Sequence, residues 1–120
     1  MNKDDKFKIT RYIKDFILSL DEYLVNYPKR EFELRNRLIY DSYELLESVY
    51  EANYLELDKR KSIQIKCMMK INLIDFYIES SFKKRIISEN QSIKLSRKLL
   101  NINKMMYSWI SYESKFKEIN

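Results

Sequence analysis

Residues 9–30, ITRYIKDFILSLDEYLVNYPKR, place Ile9, Ile13, Phe16, Ile17, Leu20 and Leu24 at steps of one, three and four. An α-helix turns once every 3.6 residues, so this spacing lines all six side chains along one face and leaves most charged residues on the other. The pattern stops at NYPKR. Pro28 disfavours the α region at Tyr27, which makes Asn26 and Tyr27 the break after a helix over about residues 7–26.

The same period recurs three times. A second helix, about 31–53, carries Phe32, Leu38, Ile39, Leu45, Leu46, Val49 and Ala52 on its inner side, with Glu31 and Glu33 favourably placed at the positive end of its dipole. The third, about 58–83, carries Ile63, Cys67, Ile71, Ile74, Ile78 and Phe82, and Met68 and Met69 broaden the stripe. In the fourth, about 89–114, the inner positions are Ile93, Leu99, Leu100, Ile102, Met106, Trp109 and Ile110. Ser88 followed three residues later by Gln91 is a capping-box pattern that fixes its start. The polar stretches 1–6 and 113–120 are expected to fray. Four amphipathic helices with short connections predict one all-α domain over residues 1–120, an up-down-up-down antiparallel four-helix bundle.

Composition narrows the chemistry. The chain has no glycine, so no Gly-rich loop can bring backbone N–H groups against a phosphate, and turns needing a positive φ are expected to use asparagine. It has no histidine, which removes the commonest general base and metal ligand and rules out a Ser/His/Asp triad. The lone Cys67 can neither staple the fold nor build a zinc site. These absences predict a non-enzyme without cofactor or metal. No apolar run reaches the roughly 18 residues of a membrane span, and the first residues lack a signal-peptide core, so a soluble cytoplasmic protein is expected.

The net charge of +5 is unevenly spread. Residues 31–56 hold two basic residues against seven acids, a net −5, whereas residues 57–85 hold eight basic residues against three acids, a net +5. Residues 86–120 add a net +3 from six basic and three acidic residues. One reading is a surface for RNA or DNA, with phosphate contacts from Lys59, Arg60, Lys61, Lys66, Lys83, Lys84 and Arg85, joined on the fourth helix by Arg97 and Lys98. The other is that these cations solvate exposed faces and complement helix C-termini, as the KKR at 83–85 does in either case. Ten tyrosines are a further feature. Tyr40, Tyr43, Tyr50 and Tyr54 lie near one side of the acidic second helix, either as packing with the hydroxyl in water or as a protein–protein surface. A bundle with acidic and basic helices can also complement itself around a ring-like homo-oligomer.

The stretch NINKMMYSW, 101–109, sets a lysine inside the last apolar pattern. Two helical positions turn a side chain by roughly 200°, so Lys104 points away from the face shared by Ile102, Met106 and Trp109. Met105 and Tyr107 sit at the flanks, as candidates for contact with a neighbouring subunit.

The order of LVNYPKREFELRNRL, LLESVYEAN, IISENQSIKLSRKLL and NINKMMYSW resembles a family of small four-helix bundles. It includes the accessory variability protein (Avd) of diversity-generating retroelements and the proteins encoded by intervening sequences in bacterial 23S ribosomal RNA genes. The last segment is similar to the family's Glu-Ile-Gly-Arg/Lys-Met-Leu-Gly-Gly-Trp, and the resemblance spans about residues 16–112. It implies a homopentameric barrel of bundles that partners a reverse transcriptase and its template RNA in making error-prone cDNA. By the same resemblance Arg37 and Lys104 match cation positions of the family pattern and join the candidate nucleic-acid-binding residues, and Trp109 matches its tryptophan. Asn103, Tyr107 and Ser108 replace the family's glycines, and Asp75 and Glu79 stand on the third helix where relatives carry arginines. In the intervening-sequence branch the implied role is a stand-alone interaction module.

Overall fold

The structure, a computed structural model, describes the backbone of residues 3–119 and the side chains of residues 8–115. Four helices follow in order: α1 (Lys3–Leu24), α2 (Phe32–Tyr54), α3 (Leu57–Lys83) and α4 (Glu89–Ile119), with a short 3-10 helix at Lys29–Glu31. No strand occurs among the described residues. α1 packs against α2 and α4, and α3 packs against the same two helices, so the four form a square bundle in chain order. The result is an all-α four-helix bundle measuring 52 × 23 × 19 Å.

The ends of the helices differ from the sequence reading. α1 is already helical at Lys3 and stops at Leu24, and α4 continues to Ile119 rather than fraying after about residue 114. No proline or glycine interrupts either extension. Of the start expected to fray, residues 1 and 2 lie outside the described residues.

The core follows the periodic faces. All six α1 positions are buried, and Phe16 and Trp109 are the largest fully buried side chains. From α2, α3 and α4 come Leu38, Leu45, Val49 and Ala52, then Cys67, Ile71, Ile74 and Ile78, then Leu99, Ile102 and Met106. Leu95, Ile87, Tyr23, Tyr27 and Tyr77 complete it, although the sequence reading had not placed them inside. Tyr27 keeps its hydroxyl satisfied by donating to Ser81 Oγ at 2.6 Å, and burial pushes its pKa up.

Five residues expected inside are exposed instead, Phe32, Met69, Phe82, Ile93 and Leu100, while Ile63, Met68 and Ile110 are only half-buried. Phe32 sits in the first turn of α2 and Phe82 in the last turn of α3. Met69, Ile93 and Leu100 lie on the outer faces of α3 and α4. A single 100° stripe is all that two neighbouring helices can cover, so a broader apolar surface must remain outside.

The α3–α4 turn departs most from expectation. Its left-handed residue is Arg85, at φ 62°, in a position that asparagine or glycine usually takes. Ile86 N–H donates to the Ser81 carbonyl and Arg85 N–H to the Phe82 carbonyl, both at 2.9 Å, the paired bonds of a Schellman C-cap. On the far side of the turn the capping box is present. Gln91 N–H donates to Ser88 Oγ at 3.1 Å, and Ser88 N–H donates to Gln91 Oε1 at 3.0 Å.

Candidate nucleic-acid interface

Helix direction decides where the basic residues collect. α3 has 27 residues and is about 40 Å long, so its two ends cannot share one surface patch. Lys59 and Lys61 lie at its first turn, beside the C-terminus of α2. Lys83, Lys84 and Arg85 lie at the opposite end of the bundle, beside the turn between α1 and α2. The two basic junctions read from the sequence therefore form two separate sites rather than one.

The first cluster contains an internal cation. Arg60 is nearly covered, its side chain 12% exposed. Its Nε donates to the Ala52 carbonyl and its Nη2 to the Leu55 carbonyl, both at 2.7 Å, so the guanidinium engages the carbonyls at the C-terminal end of α2. Nη1 pairs with Glu113 of α4, whose other carboxylate oxygen accepts from Gln64 Nε2 at 2.9 Å. The guanidinium also stands over the Trp109 ring, 5.7 Å from its centroid. Arg60 thus ties α2, α3 and α4 together, and this placement withdraws it from the exposed basic surface. Lys59 and Lys61 remain exposed there, with no ion pair among the described residues.

At the other end, Lys84 bridges to Glu31 at 2.9 Å and Lys83 to Glu79 at 2.9 Å. The Lys84–Glu31 bridge draws the 3-10 helix to the α3–α4 turn, so Lys29 and Arg30 join Arg85 as exposed cations without an ion pair among the described residues. In the sequence, NYPKR marks a helix break. Its KR pair would have signalled this cluster had the bundle's alternating directions been used to bring the two turns together.

The remaining cations are spread along the sides. Arg37 is exposed and bonds Glu33 at 3.4 Å, and the Tyr77 hydroxyl together with Glu33 raises its pKa. Lys98 pairs with Asp15 across the α1–α4 seam. Arg97 and Lys104 stand on the outer face of α4, exposed and without an ion pair among the described residues. Lys66 lines a groove of about 520 Å³ between α2 and α3, together with Glu44, Glu47, Glu51, Met69, Lys70 and Leu73. Lys70 bonds Asp41 at 3.0 Å and pairs with Glu44, and Glu44 chiefly holds its pKa up.

Tyr40, Tyr43, Tyr50 and Tyr54 all face solvent, Tyr54 at 90% exposure, and Lys14 sits 5.6 Å from the Tyr50 ring centroid. Tyr107 is likewise exposed, whereas Met105 is partly buried against the core. Burial pushes the Cys67 thiol up to about 12, so it stays protonated and poorly nucleophilic at neutral pH. No group of three or more His, Cys, Asp or Glu among the described residues could hold a metal ion. Among the described residues no helix is long and apolar enough to cross a membrane.

Fold and surface together define an all-α four-helix bundle with two basic ends and an acidic, tyrosine-lined side. Searches against protein-family models, curated proteins and solved structures found no match.

Proposed function

We propose that this chain is a nucleic-acid-binding accessory subunit of a diversity-generating retroelement, a homopentameric scaffold that holds a reverse transcriptase and its template RNA during mutagenic cDNA synthesis. The two exposed basic ends carry the reading: Lys59 and Lys61 at one, Lys29, Arg30 and Arg85 at the other. Cations left without carboxylate partners in a chain holding 18 acids are available to phosphates. The retroelement itself comes from the family resemblance of the four motifs.

The test is RNA binding by the full chain across a salt series, with co-purification of a reverse transcriptase expressed alongside it. Binding should weaken roughly tenfold or more over a modest rise in salt, because each neutralised phosphate releases counterions. Salt-insensitive or absent binding, together with no associated reverse transcriptase, would falsify the proposal.

A second reading has its own support. The exposed tyrosines of α2 and the exposed apolar residues of α3 and α4 suit a helical interaction module of the intervening-sequence type. A gene standing alone within a ribosomal RNA operon would favour it, and a neighbouring reverse transcriptase gene would count against it.

A further inference from the structure

α3 is apolar on two opposite faces. Cys67, Ile71, Ile74 and Ile78 face the core, while Ile65, Met69, Leu73 and Phe76 form a stripe on the outside, 45–60% exposed and about 16 Å long. Four large side chains in a row make a patch rather than scattered surface residues. The patch borders the α2–α3 groove, whose other wall is Glu44, Glu47 and Glu51.

α4 presents a face of matching period and opposite charge. Ile93, Leu100 and Tyr107 recur every seven residues, with Arg97 and Lys104 between them at the same interval, and all five are exposed. Seven residues of helix advance about 10.5 Å, which is also the distance along α2 from Glu44 to Glu51. Glu44 is held by Lys70, but Glu47 and Glu51 have no ion pair among the described residues. Lys66 and Lys70 offset part of the charge, leaving the groove lining one carboxylate in excess.

We infer that the α2–α3 groove of one copy is the docking site for the outer face of α4 of a second copy. Leu100 and Tyr107 pack on the stripe from Met69 to Phe76, which advances by the same seven residues, while Arg97 and Lys104 meet the row from Glu44 to Glu51, in which Glu47 and Glu51 are the carboxylates without an ion pair among the described residues. This names the surfaces for the self-assembly part of the proposed function, and it moves Arg97 and Lys104 from phosphate binding to subunit contact. α2 and α4 occupy diagonal corners of the bundle, so each copy offers both faces at once. Such a contact is head-to-tail, and it closes as a ring or runs on as a filament rather than stopping at a two-fold dimer.

Sedimentation of the full chain tests this, because all the substituted residues are on the surface. Glu47→Lys/Glu51→Lys and Arg97→Glu/Lys104→Glu should each weaken assembly by roughly tenfold or more through like-charge contact. Combining all four substitutions in one chain should restore it. A monomeric parent chain at high micromolar concentration would overturn the inference, while its RNA binding would still stand or fall separately. Intact assembly in both double variants would overturn it too. So would intact assembly with lost RNA binding in Arg97→Glu/Lys104→Glu, which would return those cations to the phosphate surface. RNA binding absent from an assembled parent chain would count against the proposed function alone.

Discussion

Arg60 shows how residue type underdetermines role. Its neighbours Lys59 and Lys61 reach solvent, whereas its guanidinium closes the end of α2 and pairs with Glu113 under partial burial. Removing one partner of a covered pair strands the other, at a cost of about 3 kcal/mol. Arg60→Ala is therefore expected to lower unfolding free energy by about that amount in urea titration, while Lys59→Ala should change it little. The three residues are equally basic in sequence, so only the packing separates them. Cys67 adds a pH dependence. Its thiol stays neutral in the fold up to about 12 but ionises above 9.0 when the chain unfolds, so stability should fall as pH rises through that interval. The parent chain should lose about 2 kcal/mol by about pH 10.5 from this group, and Cys67→Ala should lack that part of the loss.

At the scale of elements, the two sides of the α3–α4 turn make opposite predictions. Ser88→Ala removes a reciprocal cap and should cost about 1 kcal/mol. Arg85→Gly relieves a left-handed side-chain clash and should gain about 1 kcal/mol, read in both cases from the thermal midpoint. The capping box was legible because its two polar residues bond each other across three positions, a purely local signal. The left-handed residue was not, since nothing about an arginine marks it for a positive φ. Faces were legible to the same degree. The positions of α1 all went inside, because this helix has one narrow stripe, whereas α3 has two opposed stripes and periodicity alone could not say which one the core would take.

For the whole molecule, the decisive fact is alternation of helix direction. It sends the two basic junctions to opposite ends and brings Lys29 and Arg30 to Arg85, which are far apart in sequence. The ends lie farther apart than the roughly 8 Å over which physiological salt leaves charges in touch, so they should act independently. Reversing Lys59 and Lys61 to Glu, or Lys29 and Arg30 to Glu, should each lower RNA affinity, and the two effects should multiply when combined in a salt-controlled binding assay. Helix number and topology were open to sequence reasoning because local patterns and short connections specify them. The grouping of surface charges was not, since it depends on which helix ends meet.

The clamp around Arg60 also bears on the order in which a ribosome delivers the chain. Glu113 leaves the exit tunnel long after Arg60, Ala52 and Leu55, so α1 to α3 emerge with a cation that has no carboxylate to close on. A three-helix nascent form holding Arg60 in its final place would carry that charge uncompensated. The bundle is thereby biased to wait for its last helix, and a nascent chain stalled before residue 113 should stay sensitive to protease.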